Sequence, residues 1–334
     1  MPHRGTVNPA DAPRHWAGWQ EYARLEMDLG GPDPQVQLAS QMIINGTTSP
    51  AERAWRAGCY IGPYTVSSGE LFWTELELGA SDAEIRAGVD KLWPLLTIKQ
   101  ERRAVKSRAR MAEYLVSYRD WVQGRLPVIH GTGDYDELWD SMRADVRYAG
   151  RYATIKLLEV LRRVGAVTAA VPDLRPAGAW SPRLTLSWLL PEHADLLNGG
   201  DSMLALRQIV DLADGVRRRM SESMQRDINP FTFEVLCCNY RQSLRDKYPG
   251  RGHDSELAAF AKAAPYWWEQ DGGSTLLETR QRLWDPRCLG EWHGWQGVRK
   301  ELGTTPSQHD YFWSDLLYSY GATTDLSNPV RWDE

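Results

Sequence analysis

The sequence predicts a mainly α-helical protein. Capping signals recur along the chain, apolar residues return every three or four positions over long runs, and strand-like alternation is confined to two short stretches. Residues 1–33, rich in Pro, Gly and Ala, read as a loosely ordered N-terminal arm that Trp16 and Trp19 can pin down. Residues 34–334 read as a single two-lobed helical domain with a central cleft, the economical arrangement for helical halves joined by a long connection. Ser49-Pro50-Ala51-Glu52, Ser81-Asp82-Ala83-Glu84 and Thr305-Pro306-Ser307-Gln308 have the form of helix starts, a hydroxyl cap followed three residues later by Glu or Gln. The segment 51–75 reads as helix, Gly62-Pro63 break, helix, with Ser67 or Ser68 able to cap the second part.

Helical period then covers 99–123, 151–164, 202–225, 230–246 and 254–264. Val128-Ile129 and Leu184-Thr185-Leu186-Ser187-Trp188 are the strand candidates. Between 165 and 182, Pro172, Pro176 and Pro182 mark a crossover between the helical halves.

Composition limits what the chain can do. At 334 residues it can bury a substantial core, and a formal net charge of −5 requires any nucleic-acid contact to come from local basic stripes. Sixteen Trp against five Phe supply indole faces that suit base stacking as well as core filling. Cys59, Cys237, Cys238 and Cys288 lack Cys-x-x-Cys spacing, so neither a disulfide framework nor a zinc site is expected, and no other metal-ligating cluster stands out. No stretch has the length and apolarity of a membrane span, and Met1–Gly31 lacks a signal-peptide core, which predicts a cytoplasmic protein with no membrane partner. Serine-hydrolase, Walker, dinucleotide-binding and zinc-peptidase motifs are absent.

Four segments hold residue types suited to chemistry. The helix running through Cys237-Cys238 leads to a turn at Pro249, Gly250 and Gly252 that gathers Arg245, Lys247, Arg251 and His253, before Asp254 can cap the next helix. Cations, glycine backbone and a helix N-terminus suit an anionic group. They also suit a solvated interhelical loop. At the Gly62-Pro63 bend, Tyr60 and Tyr64 can flank an unstacked base or simply pack a helical hairpin. On an unbroken helix, Lys99, Arg102, Arg103, Lys106 and Arg110 would share one face, a stripe for DNA phosphates or a solvated surface. Around Gly150, Arg147, Arg151 and Lys156 can face a phosphate, although Arg151 could instead pair with Asp145.

Glu52-Arg-Ala-Trp-Arg-Ala-Gly-Cys-Tyr-Ile-Gly-Pro-Tyr-Thr-Val-Ser-Ser-Gly-Glu-Leu-Phe-Trp73, Tyr148-Ala-Gly-Arg-Tyr152, and the stretch from Leu236-Cys-Cys-Asn-Tyr-Arg to Tyr248-Pro-Gly-Arg-Gly-His-Asp254 resemble the bacteriophage amino acid:DNA transferases. That group was first described as α-glutamyl/putrescinyl thymine pyrophosphorylases. The likeness spans most of residues 35–300 and implies a DNA-glycosylase-like helical fold. It also implies an activity in the infected host's cytoplasm, following a hydroxymethyluracil DNA kinase. The pyrophosphate of 5-pyrophosphoryloxymethyl-deoxyuridine in double-stranded DNA is replaced by the amine of a free amino acid, glycine being one used in the family.

On that reading Lys247, Arg251, Arg147 and Arg151 are the candidates to receive pyrophosphate, and His253, Asp254 and Glu234 to accept the amine's proton. Tyr60, Tyr64 and Trp73 would stack on the extruded base. No cofactor is required, and Mg2+ bridging phosphate oxygens is an optional aid. The alternatives are a DNA N-glycosylase-like base-excision enzyme and a non-catalytic helical DNA-binding or scaffold protein.

Overall fold

Short polar side chains start the helices. In the computed structural model, Ser49, Ser81, Ser107, Asp134 and Ser202 each accept a hydrogen bond from a backbone N–H in the first turn of the helix that follows. At Ser81 the box closes, because Glu84 also accepts from the Ser81 N–H at 2.7 Å. Ser81→Ala is therefore expected to cost about 1 kcal/mol, measured as a lowered urea midpoint at unchanged slope.

The structure describes residues 9–28, 31–47, 49–126, 133–243 and 273–283, with Glu256, Ala259, Phe260, Lys262, Ala263 and Tyr266. The helices are α1 (Ala12–Asp28), α2 (Pro34–Gly46), α3 (Pro50–Ile61), α4 (Val66–Glu75), α5 (Asp82–Leu92), α6 (Arg108–Gly124), α7 (Tyr135–Asp145), α8 (Arg151–Arg163), α9 (Trp180–Leu189), α10 (Ala194–Asn198), α11 (Met203–Met224), α12 (Pro230–Ser243) and α13 (Gly273–Leu283). No strand occurs among the described residues, and no helix there is long and apolar enough to cross a membrane. They divide into two compact units, within 9–33 and 171–243, and within 34–170 and 256–283. The chain passes from 170 to 171 between units, inside the proline-marked stretch.

In the first unit α1 packs on α9 and α12. Trp19 and Phe233 meet edge to face in a core that includes Leu186, Ile209, Met220 and Leu236. The expectation of a loosely ordered arm therefore fails for Ala12–Asp28. The period Trp16, Trp19, Ala23 gives that stretch an apolar face, and the Trp16 indole N–H donates to the Leu189 carbonyl at 2.9 Å.

Leu184–Trp188 is likewise corrected, from strand to helix α9. Its alternating Thr and Ser do not mark a solvent face, because both are buried. Thr185 donates to the Cys237 carbonyl at 2.7 Å and Ser187 to the Leu184 carbonyl at 2.8 Å.

The second unit is built on close approach. Small residues of α3 admit aromatic rings from α6, where Tyr118 stacks between Trp55 and Trp121 and donates to the Ala54 carbonyl at 2.8 Å. Gly69 lets α4 lie against α3, since a Cβ there would sit 2.5 Å from the Tyr60 Cα. The expected single helix 99–123 is two pieces. A 3-10 segment spans Gln100–Val105 with Arg102 non-helical at φ −102°, ψ 28°, and Ser107 then caps α6.

Candidate functional site

Both turns that matter lie in the second unit. The α3–α4 turn passes through Gly62, Pro63 and Tyr64, and Tyr64 takes φ +60°, a conformation a non-glycine residue keeps only when its surroundings impose it. Neither Ser67 nor Ser68 is the N-cap of α4; Thr65 is, and its side chain donates to the Thr97 carbonyl instead. The missing acceptor comes from Glu256, whose carboxylate takes the N–H groups of Val66 at 2.8 Å and Ser67 at 2.6 Å and the Ser67 hydroxyl at 2.5 Å. Lys99 is tied to this turn through its N–H to the Pro63 carbonyl at 3.0 Å, and its ammonium lies 5.3 Å from the Tyr64 ring centroid.

The second turn leads into α8. Tyr148 takes φ +61° and donates its hydroxyl to Glu113 at 2.7 Å, while the Arg110 guanidinium stands 5.9 Å from its ring centroid. The hydrogen bond from Tyr148, with help from Arg147 at 3.4 Å, holds Glu113 below the usual carboxylate range. Gly150 is the N-cap of α8 and offers no side-chain acceptor, and a Cβ built on it would meet nothing within 4 Å.

Arg102 connects the two turns. Its Nε donates to the Gly62 carbonyl at 3.1 Å and its Nη1 to the Tyr148 carbonyl at 3.2 Å, while its face lies over Tyr114 at 5.0 Å. Tyr64 meets Tyr152, in the first turn of α8, edge to face at 5.5 Å. Burial lowers the Arg102 pKa, and no carboxylate lies at ion-pair distance among the described residues.

Several expected site residues are thus gathered around two strained tyrosine turns: Tyr64, Lys99, Arg102, Arg110 and Arg147, with Arg151 opening α8. Others are placed differently. The basic stripe does not form, because the helix breaks before Ser107 and Arg102 is buried, while Lys106 and Arg110 are exposed. Tyr60 is no stacking platform. It is 1% exposed and donates its hydroxyl to Glu70, which also accepts from Arg56 at 2.8 Å, while the Arg56 guanidinium lies 5.0 Å from the ring centroid of half-buried Trp73. Lys156 is fully buried against Glu159 at 3.0 Å, so it cannot meet a phosphate, and Asp145 pairs with Arg125 at 3.0 Å. Glu234 is buried in α12 of the first unit, where it accepts a weak bond from the Cys238 thiol at 3.6 Å.

Lys247, Arg251, His253 and Asp254, and the side chain of Arg103, lie outside the described residues. Sequence reasoning did not single out Glu113 or Glu256, whose partners are 35 and about 190 positions away. The burial of Arg102 was equally hidden, because in sequence it is one of a run of cations that share a helical face. None of the protein-family models, curated proteins or solved structures compared with this chain matches it.

Proposed function

We propose that this chain is a DNA-modifying transferase that replaces the pyrophosphate of 5-pyrophosphoryloxymethyl-deoxyuridine with an amino acid, glycine in the first instance, through its amine. The observation that carries the reading is the set of cations around the Tyr64 and Tyr148 turns, beside the N-terminus of α8. In the reaction a nitrogen–carbon bond forms at the methylene on the pyrimidine ring as the carbon–oxygen bond to pyrophosphate breaks. The amine surrenders one proton to a base, and the departing negative charge is what fixed cations and helix amides stabilise.

Arg147 and Arg151 are the residues proposed to receive the leaving group, with Lys99 and Arg110 flanking them. Among the proposed bases, burial places Glu234 behind His253 and Asp254, which lie next to Lys247 and Arg251 in sequence. Tyr60 is committed to Glu70 and Tyr64, 5% exposed, packs on Tyr152, so half-buried Trp73 is the most exposed of the proposed stacking residues. A mainly helical architecture is compatible with a DNA-glycosylase-like fold and a central cleft, which belong to this proposal.

The test is incubation with duplex carrying the pyrophosphorylated base and a pool of amino acids, digestion to nucleosides, and mass spectrometry. An amino acid adduct with released pyrophosphate supports the transferase; abasic sites point to a base-excision enzyme, and bound but unchanged DNA to a scaffold. Arg147→Ala with Arg151→Ala is expected to lower turnover by about 10²-fold, the scale of losing one oriented transition-state contact, with duplex affinity in a gel-shift titration nearly unchanged.

A further inference from the structure

The first unit holds a cavity of about 220 Å³ between the start of α9 and the connection from α10 to α11, lined by Trp180, Arg183, Asn198, Asp201 and the bare backbone of Gly199 and Gly200. That is room for a ring system, beyond what a water or a single ion fills. Its polarity is one-sided. Arg183, 6% exposed, has a partner at each guanidinium nitrogen: Nε donates to the Leu197 carbonyl at 2.7 Å, Nη2 to the Gly199 carbonyl at 2.8 Å and Nη1 to the Asp201 carboxylate. An anion would find that guanidinium already spent.

Acceptors remain. The Asn198 Oδ1 is shielded from solvent and has no hydrogen-bond partner among the described residues. Asp201 takes Arg183 on one oxygen and the Gly178 N–H, at 3.2 Å, on the other, which leaves each oxygen a lone pair on a side chain 46% exposed. A shielded acceptor without a donor carries the cost of its lost water until an N–H is supplied. Arg183 and Asp201 are the only charged residues in the wall and they cancel, so a charged ligand gains little from it. Half-buried Trp180 adds indole surface.

We infer that this cavity is a binding site for a neutral nucleobase that presents adjacent N–H donors, guanine first among them. The N1–H and 2-amino group of guanine match a carboxylate with a lone pair to spare on each oxygen, the second amino hydrogen suits Asn198, and the ring packs on Trp180. Thymine and uracil flank their single N–H with carbonyl oxygens, which the Asp201 oxygens repel. Adenine and cytosine, with one amino group beside an acceptor nitrogen, fall between. The base can come from a free nucleoside or from an unpaired position of a nucleic-acid strand, which share this chemistry. The inference does not rest on the transferase reading, whose cations around Tyr64 and Tyr148 belong to the other unit.

Equilibrium dialysis of the full-length protein against deoxyguanosine, deoxyinosine, thymidine and arginine amide, and then against an oligothymidylate with and without one central deoxyguanosine, tests it. Deoxyinosine lacks only the 2-amino group and should bind about tenfold more weakly than deoxyguanosine, the scale of one unmet hydrogen bond, and thymidine more weakly still. Asn198→Leu removes the shielded oxygen at similar volume, so it should melt at or above the wild-type temperature while deoxyguanosine affinity falls about tenfold. Asn198→Asp, which keeps an acceptor, should retain most of that affinity.

Deoxyguanosine binding with that order and that dependence on Asn198 supports the site with a free-nucleoside source, and binding of the deoxyguanosine-bearing strand alone, with the same dependence, supports it with a strand source. Equal affinity for all three nucleosides, tighter binding of arginine amide, undiminished affinity in Asn198→Leu, or no binding of any probe overturns it. If Asn198→Leu melts lower than wild type, Asn198→Asp decides: retained affinity supports the acceptor role and lost affinity overturns it.

Discussion

Gly69→Ala is expected to destabilise the protein by about 3 kcal/mol or more, the upper range for forcing an atom into a packed interior. The added Cβ would lie 2.2 Å from the Tyr60 Cδ1, 2.5 Å from its Cα and 2.9 Å from the Cys59 carbonyl oxygen. Two of these three obstacles are backbone, so no rotamer change relieves them, and α4 must move away from α3. That movement would also pull Glu70, the next residue, away from Arg56 and Tyr60. Gly124→Ala is the matching control: it sits at the end of α6, a Cβ there meets nothing within 4 Å, and it should be neutral or stabilising by a fraction of about 1 kcal/mol. Urea unfolding followed by circular dichroism measures both. Equal midpoints for the two variants would mean that α3 and α4 are not as closely apposed as described.

The second large effect concerns the buried group beneath that contact. Arg56 and Glu70 pair at 2.8 Å with side chains 4% and 11% exposed, and Arg56 also donates to the Tyr60 hydroxyl at 2.7 Å. Burial alone would lower the Arg56 pKa, but Tyr60 and Glu70 outweigh it and hold the guanidinium firmly charged; burial and Glu70 together push the Tyr60 phenol well up, so it stays a neutral donor. Glu70→Ala strands that charge in the interior and should cost about 3–5 kcal/mol, whereas Arg56→Met combined with Glu70→Leu should recover most of the loss. A double-mutant cycle by urea unfolding reads the difference. If Glu70→Ala and the double variant lose the same amount, packing and not charge accounts for the cluster.

Much of the fold could be read from local chemistry. Ser49 and Ser81 announce their helices, and the periods at 151–164 and 202–225 match α8 and α11 within a residue or two, because capping and one-sided burial are local in sequence. Reading failed where tertiary contacts redefined what a pattern meant. Thr185 and Ser187 alternate with leucine, yet both faces are buried, so alternation no longer distinguished inside from outside.

The basic run from Lys99 to Arg110 reads as one helix until the residue types are weighed for capping. Ser107 then stops the register, and Arg102 turns inward to carbonyls 40 and 46 positions away. The candidate site followed the same division. Tyr64, Arg147 and Gly150 are marked by glycine- and proline-bearing turns, whereas the roles of Arg102, Glu113 and Glu256 exist only once distant segments meet.

The division of each unit along the chain bears on how the protein emerges during synthesis. Helix α1 leaves the ribosome before α9 and α12, against which Trp16 and Trp19 pack, have been translated. Residues 34–170 come next, and the start of α4 must wait for the carboxylate of Glu256. Neither unit can close in the order in which it is made. The nascent chain therefore displays the Trp19 indole until Phe233 follows and an unclosed helix start until Glu256 does, an interval in which partly folded chains are exposed to misassembly.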